Sequence, residues 1–228
     1  MLNLIFSLVF ILSAIHGDSN AKPKSIAESF PPGSGSKFLL SMADGTSANL
    51  IISIASSSSS RVAVEYYFSS TDAPIELWQQ FIIEGAGTAR LRVAEGYIYA
   101  KELKHPERIP KDHLTGIDET EINEFLFSTS IQSAEFRVGE DVVQVPAGQV
   151  SAKRFKKQRE GATLEYWISE QASPLGLVKL VSKGPKPEQN YTIVLGSLVK
   201  NVKPKIDPSA AEPLSATGRG FLAPLKKR

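Results

Sequence analysis

Histidine is the scarcest chemistry-bearing residue type in this chain, and its three copies have no metal-binding spacing. His16 falls in an apolar N-terminal block. His105 and His113 flank prolines and a turn, with no H-x-H or H-x-x-x-H pattern, whereas a zinc site needs three or four converging ligands. Cysteine is absent, which removes thiolate nucleophiles, cysteine-bound zinc and disulfides. Serine is plentiful, yet no G-x-S-x-G elbow presents one as a nucleophile. Gly85-Ala86-Gly87 lacks the further glycine and following helix that a dinucleotide loop requires, and Gly33-Ser34-Gly35 sits in a linker-like stretch. The carboxylates are scattered, without a prominent pair. The sequence therefore assigns no catalytic residue, no metal and no cofactor, and the expectation is a protein that is not an enzyme.

What remains is chemistry of binding. The densest charge run is Lys153-Arg154-Phe155-Lys156-Lys157-Gln158-Arg159. On a strand its side chains alternate faces, so it reads as a solvated hairpin tip or as a surface patch for anionic lipid headgroups or an acidic partner. A second set is amphipathic and aromatic: Tyr66, Trp78, Tyr97, Tyr166 and Trp167, all on predicted strands. Such residues are ordinary core packing. Alternatively, with Leu164, Leu177 and Ile193, they line a cavity for an acyl chain on a curved sheet. Asn190-Tyr191-Thr192 matches a glycosylation sequon, relevant in a eukaryotic secretory pathway. A formal net charge of +2 gives no electrostatic case for a nucleic-acid partner.

The elements that would position these residues are mostly strands. Met1 to Ile15 is an apolar block, short for a membrane span and suited to the core of a secretory signal, with cleavage after Gly17 or, preferably, Ala21. The expected organisation is a signal peptide at 1–21, a flexible linker at 22–36, a β domain at 37–202 and a flexible basic tail at 203–228. The mature chain then carries no transmembrane span and resides in the bacterial periplasm or outside the cell. Within the domain, period-two alternation predicts strands at 37–43, 48–55, 61–68, 88–100, 133–138, 142–145, 149–157, 163–169, 176–182 and 191–200. The stretch 75–84 carries apolar residues on both sides and reads as strand or helix, with strand preferred. One helical turn is expected at 111–114 and a helix at 119–127, capped by Asp118. No strand–helix alternation repeats, so a parallel βαβ sheet is not expected. The fold expected is a mainly β, strongly curved antiparallel sheet, an incomplete barrel with a small helical insertion.

One stretch points to a family. Val143-x-Val145-Pro146-Ala147-Gly148, then Tyr166-Trp167-Ile168-Ser169, then Pro174-Leu175-Gly176-Leu177-Val178-Lys179 resembles the C-terminal half of bacterial periplasmic proteins of the LolA/LolB-like, lipoprotein-carrier-like group. The resemblance covers about 138–199 and rests on strand and turn punctuation. It implies a half-barrel whose concave face accepts lipid chains; no residue role carries over, and no arginine matches a carrier's gate. Two functional expectations follow. The first is an exported carrier-like module holding lipid or a hydrophobic peptide. The alternative is a structural or interaction protein of the cell envelope, bound to an envelope partner, with its half-barrel filled from within.

Overall fold

Alternating apolar residues join most of this chain into one sheet. The computed structural model describes residues 26–70, 76–84, 92–118, 134–159 and 161–222. The strands are β1 (Gly35–Met42), β2 (Ser47–Ser57), β3 (Arg61–Ser70), β4 (Glu76–Glu84), β5 (Arg92–Ala100), β6 (Glu107–Arg108), β7 (Arg137–Val145), β8 (Gly148–Arg159), β9 (Ala162–Ile168), β10 (Leu177–Lys183), β11 (Tyr191–Val199) and β12 (Glu212–Pro213). Among the described residues three short α-helices accompany them: α1 (Ile26–Ser29), α2 (Lys111–Asp118) and α3 (Ala216–Leu222). The strand order is β12-β6-β5-β4-β3-β2-β1-β11-β10-β9-β8-β7. Each pairing is antiparallel except β12 with β6, which is parallel. β1 lies between β2 and β11, and so joins the β1–β6 meander to the β7–β11 meander.

The sheet is open and strongly curled. β7 touches β10 and β11 as well as its ladder partner β8, and the Ala147 amide donates to the Leu195 carbonyl at 3.3 Å. The turn Pro146-Ala147-Gly148 closes the β7–β8 hairpin, with Gly148 at φ +119°, a conformation that side chains with a Cβ resist. Paired residues share a face, which fixes two sides. Val62, Val64, Tyr66 and Phe68 of β3 stack in register with Ile83, Phe81, Gln79 and Leu77 of β4. Ile193, Leu180, Tyr166 and Phe155 continue the same side across β11, β10, β9 and β8. These residues form the core, 0–4 % exposed, because curling turns their side inward as the concave face.

The predicted strands match the ladder closely, with informative differences. The stretch 75–84 is strand from Glu76, and its two-sided pattern has a cause: Gln80 on the far side is also buried, donating to the Ile206 carbonyl at 3.2 Å. Of the strand expected at 133–138 only Arg137 and Val138 are strand, because Ala134–Phe136 form a 3-10 turn; they join the strand expected at 142–145 in β7, with a bulge between Arg137 and Gly139. The turn expected at 111–114 extends to Asp118, so the residue expected to cap a following helix ends this one. The helix expected at 119–127 lies outside the described residues, as does 88–91 of the expected 88–100 strand.

The larger correction concerns the C-terminal segment. Residues 203–222, expected as tail, pack onto the sheet, with Lys205 and Ile206 on the convex side of β3 and β4 and Ser215 held at Glu107 of β6. Ile206 is 2 % and Leu222 1 % exposed, β12 extends the sheet, and the Glu65 carboxylate accepts from the amides of Lys205 and Ile206. Likewise Gly35 and Ser36, expected within the linker, begin β1 and are buried.

Candidate functional site

The eight residues expected to line one cavity divide between the two sides. Tyr66, Leu164, Tyr166, Leu177 and Ile193 share the concave face. They are packed against neighbours: Tyr166 stacks on Phe155 at 5.3 Å, and Tyr66 meets Phe81 edge-on at 5.9 Å. Trp78, Tyr97 and Trp167 fall on the convex side. Trp78 sits in a row with Tyr67 and Tyr99, at ring distances of 4.6 and 5.7 Å, and the Lys205 ammonium lies 5.6 Å from Trp78 and 5.2 Å from Tyr99. Tyr97 is buried, its hydroxyl donates to Glu95, and Arg108 lies over its ring. Burial, the acidic partner and the nearby Glu95 charge push the Tyr97 phenol up to about 12. Trp167 donates through Nε1 to Asp141 Oδ2 at 2.8 Å and carries Lys179 over its ring at 5.1 Å.

One concave row differs from the rest. Ser36, Ile52, Tyr66, Gln79 and Ile98 are cross-strand neighbours in β1 to β5. All five are at most 2 % exposed. Yet Ser36 Oγ, Tyr66 Oη and Gln79 Nε2 have no hydrogen-bond partner among the described residues. Buried polar groups are ordinarily satisfied, so three such donors in one row mark the only polar break in this stretch of the concave face. Burial raises the Tyr66 phenol well above its ordinary range, which keeps it a neutral donor.

The basic run does not form one patch. Arg154 and Lys156 face one way, and each meets an acid, Asp141 at 3.4 Å and Glu165 at 3.7 Å. Lys153 and Lys157 face the other way, with Lys157 over the Phe136 ring at 5.6 Å. Arg159 ends β8. An open pocket of about 630 Å³ lies elsewhere, at one end of the sheet, between the β1–β2 turn, Gly161 and the β10–β11 connection. There the Asn190 side chain ties the connection together, donating to the Gly184 and Lys186 carbonyls and accepting from the Gly184 amide. Its amide nitrogen is thus engaged, and the sequon does not present a free acceptor for a sugar.

His105 approaches Glu212 at 3.9 Å and His113 approaches Asp112 at 3.2 Å. Among the described residues no group of three histidine or carboxylate side chains could hold a metal ion. Sequence reasoning overlooked Glu65 and Glu107, buried carboxylates that accept backbone amides from the C-terminal segment, Ser215 in the case of Glu107 at 2.8 Å. Glu65 alternates with Val64 and Tyr66, which marks it for solvent, and no sequence signal announces the segment that covers it.

No protein-family model matches the chain, and no curated protein matches it. Solved structures do resemble it at low identity. The hypothetical protein CT021 from Chlamydia trachomatis is 10% identical, with a TM-score of 0.44 over 80% of this chain and 96% of that one. A candidate exported protein with YmcC-like fold from Bacteroides fragilis is 13% identical, with a TM-score of 0.36 over 74% and 96%. MucB, in its complex with MucA(peri), is 15% identical, with a TM-score of 0.36 over 75% of this chain and 51% of MucB. These likenesses carry no activity, ligand or partner over to this chain.

Proposed function

We propose that this protein is an exported, non-enzymatic interaction module of the bacterial cell envelope, whose half-barrel is filled by its own side chains and which acts through its surface. The observation that carries this reading is the state of the concave face. Tyr66, Leu164, Tyr166, Leu177 and Ile193 are 0–4 % exposed, packed against neighbouring side chains, whereas a lipid site offers an apolar cavity of about 300–1,000 Å³. The export half of the reading rests on the apolar block at 1–15 and the small residues before Lys22. Among the described residues no helix is long and apolar enough to cross a membrane.

A second reading, a carrier of apolar cargo, draws on the unpaired row of Ser36, Tyr66 and Gln79, since an oxygen-bearing group of a bound molecule would meet those donors. Native mass spectrometry and solvent extraction of protein purified from cells separate the two. The expected result is a bare chain and a melting midpoint unmoved by fatty acids. A co-purified acyl species, or a midpoint that rises with added fatty acid as linkage demands, would replace the first reading by the second. N-terminal mass analysis of the same sample tests export, with a start at Lys22 or Asp18 expected.

A further inference from the structure

The stretch 203–211 is tied at both ends and lightly held between them. On one side the Val202 amide donates to the Gly33 carbonyl at 3.0 Å; on the other, β12 bridges to β6. Within the stretch Ile206 is the one buried residue. A single aliphatic anchor is small against the conformational freedom that such a length of chain regains on release. Local opening here therefore needs far less free energy than unfolding the sheet. The contacts at this one station are nonetheless specific. The amides of Lys205 and Ile206 converge on the Glu65 carboxylate at 2.9–3.0 Å, and the Ile206 carbonyl accepts from Gln80 Nε2 at 3.2 Å. The Lys205 ammonium lies over the rings of Trp78 and Tyr99. Those rings and Tyr67 stay half-buried with the segment in place. Glu65 and Gln80 are polar and take up water when uncovered, so release at this station bares a polar floor beside an aromatic wall.

Resting on the reading of the protein as an interaction module, we propose that this convex station is its docking groove, held in cis by Lys205-Ile206. The occupant in trans is a segment of a partner protein that carries a cation directly before an aliphatic residue. Its chemistry follows from the contacts already made. Glu65 and Gln80 take two successive amides and a carbonyl, groups that any main chain supplies, so they give grip without sequence preference. Preference comes from the two side chains. The position of Ile206 is buried and accepts an aliphatic group. The position of Lys205 faces aromatic rings, whose negative faces attract a cation and repel an acid. The tethered segment competes at a high effective concentration, so it keeps the groove closed to chance peptides and yields to a better-fitting partner.

Amide exchange of the unmodified protein and peptide titration followed by NMR test it, with the end-capped peptide of residues 203–210 as probe. In wild type the amides of Lys205 and Ile206 should exchange at least about a hundredfold faster than those of β2 and β3, through local opening. Ile206→Asp removes the anchor and leaves Glu65, Gln80, Trp78 and Tyr99 in place. That variant should bind the probe, shifting the Trp78 indole resonance, at least about tenfold more tightly than wild type, where the tethered segment competes. The Lys205→Glu and Ile206→Asp versions of the probe should each bind about tenfold more weakly or worse. Exchange at 205 and 206 only through global unfolding would overturn the groove, whether or not the variant folds. So would a folded Ile206→Asp chain that ignores the probe, or equal binding of all three probes. A two-chain mass in wild type that Ile206→Asp abolishes would make another copy's segment the occupant and overturn the partner assignment. The lipid test reads the concave face and is untouched by any of these results, so the groove and the interaction-module reading fail separately.

Discussion

Replacing Glu65 by alanine should loosen the C-terminal segment while sparing the concave core. The Glu65 carboxylate accepts from the Lys205 amide at 2.9 and 3.0 Å, from the Ile206 amide at 2.9 Å and, more distantly, from Gln80 Nε2 at 3.4 Å. Two backbone donors therefore lose their acceptor, at about 1–3 kcal/mol each if they stay buried, or about 2–6 kcal/mol in all. Two effects reduce that total. Burial pushes the Glu65 carboxyl above its usual range, so deleting the group also removes a desolvation penalty. The segment can also lift and let water satisfy the freed amides. The net loss expected is about 2–3 kcal/mol, read as a lowered urea midpoint, with the fastest amide exchange confined to 203–222. Glu65→Gln keeps an acceptor oxygen and should lose less. Unchanged exchange at 205 and 206 in the alanine variant, with an unchanged midpoint, would refute the claim that this carboxylate holds the segment.

Three further expectations concern stability. Because the Glu65 carboxyl titrates above its ordinary value of 4.5 in the folded state, the folded chain holds a proton there that the unfolded chain has lost. Its contribution is therefore full below that ordinary value and is lost as pH rises through the raised one; denaturation at several pH values should show stability falling with rising pH more steeply in wild type than in Glu65→Gln, the difference between the two being the Glu65 contribution. Gly35→Ala would place a Cβ 2.1 Å from the Ile52 carbonyl oxygen and 2.7 Å from Ser53 Cα. Both are backbone atoms of the paired strand, and a loss of about 3 kcal/mol is expected in denaturant melts. Tyr166→Ala empties a site that is 0 % exposed and stacked on Phe155; the cost expected is about 3–5 kcal/mol, and a calorimetric midpoint close to wild type would argue that the concave face is not the core.

Most of the sheet was legible because alternation is a local property. Val62, Val64, Tyr66 and Phe68 declare a strand and its buried side without reference to any other residue. The scarcity of histidine and the absence of cysteine were equally plain. What the residues could not declare is which neighbour each strand meets and what covers its other side. Tyr66, Trp78 and Tyr97 each suit a cavity wall, but the register pairs Tyr66 with Gln79 and Tyr97 with Gln80, which sends Trp78 and Tyr97 to the convex side. Register depends on turn geometry and on long-range packing, neither of which alternation encodes. The segment 203–222 is the clearest case. Its prolines and charges carry no period, and it is held largely through backbone amides on Glu65 and Glu107, groups that every sequence possesses. Composition and alternation thus determined a β chain without evident catalytic chemistry. Only the tertiary structure decided that the C-terminal segment is part of the sheet, because that depends on contacts such as Glu65 with Lys205 and Glu107 with Ser215, between residues more than a hundred positions apart.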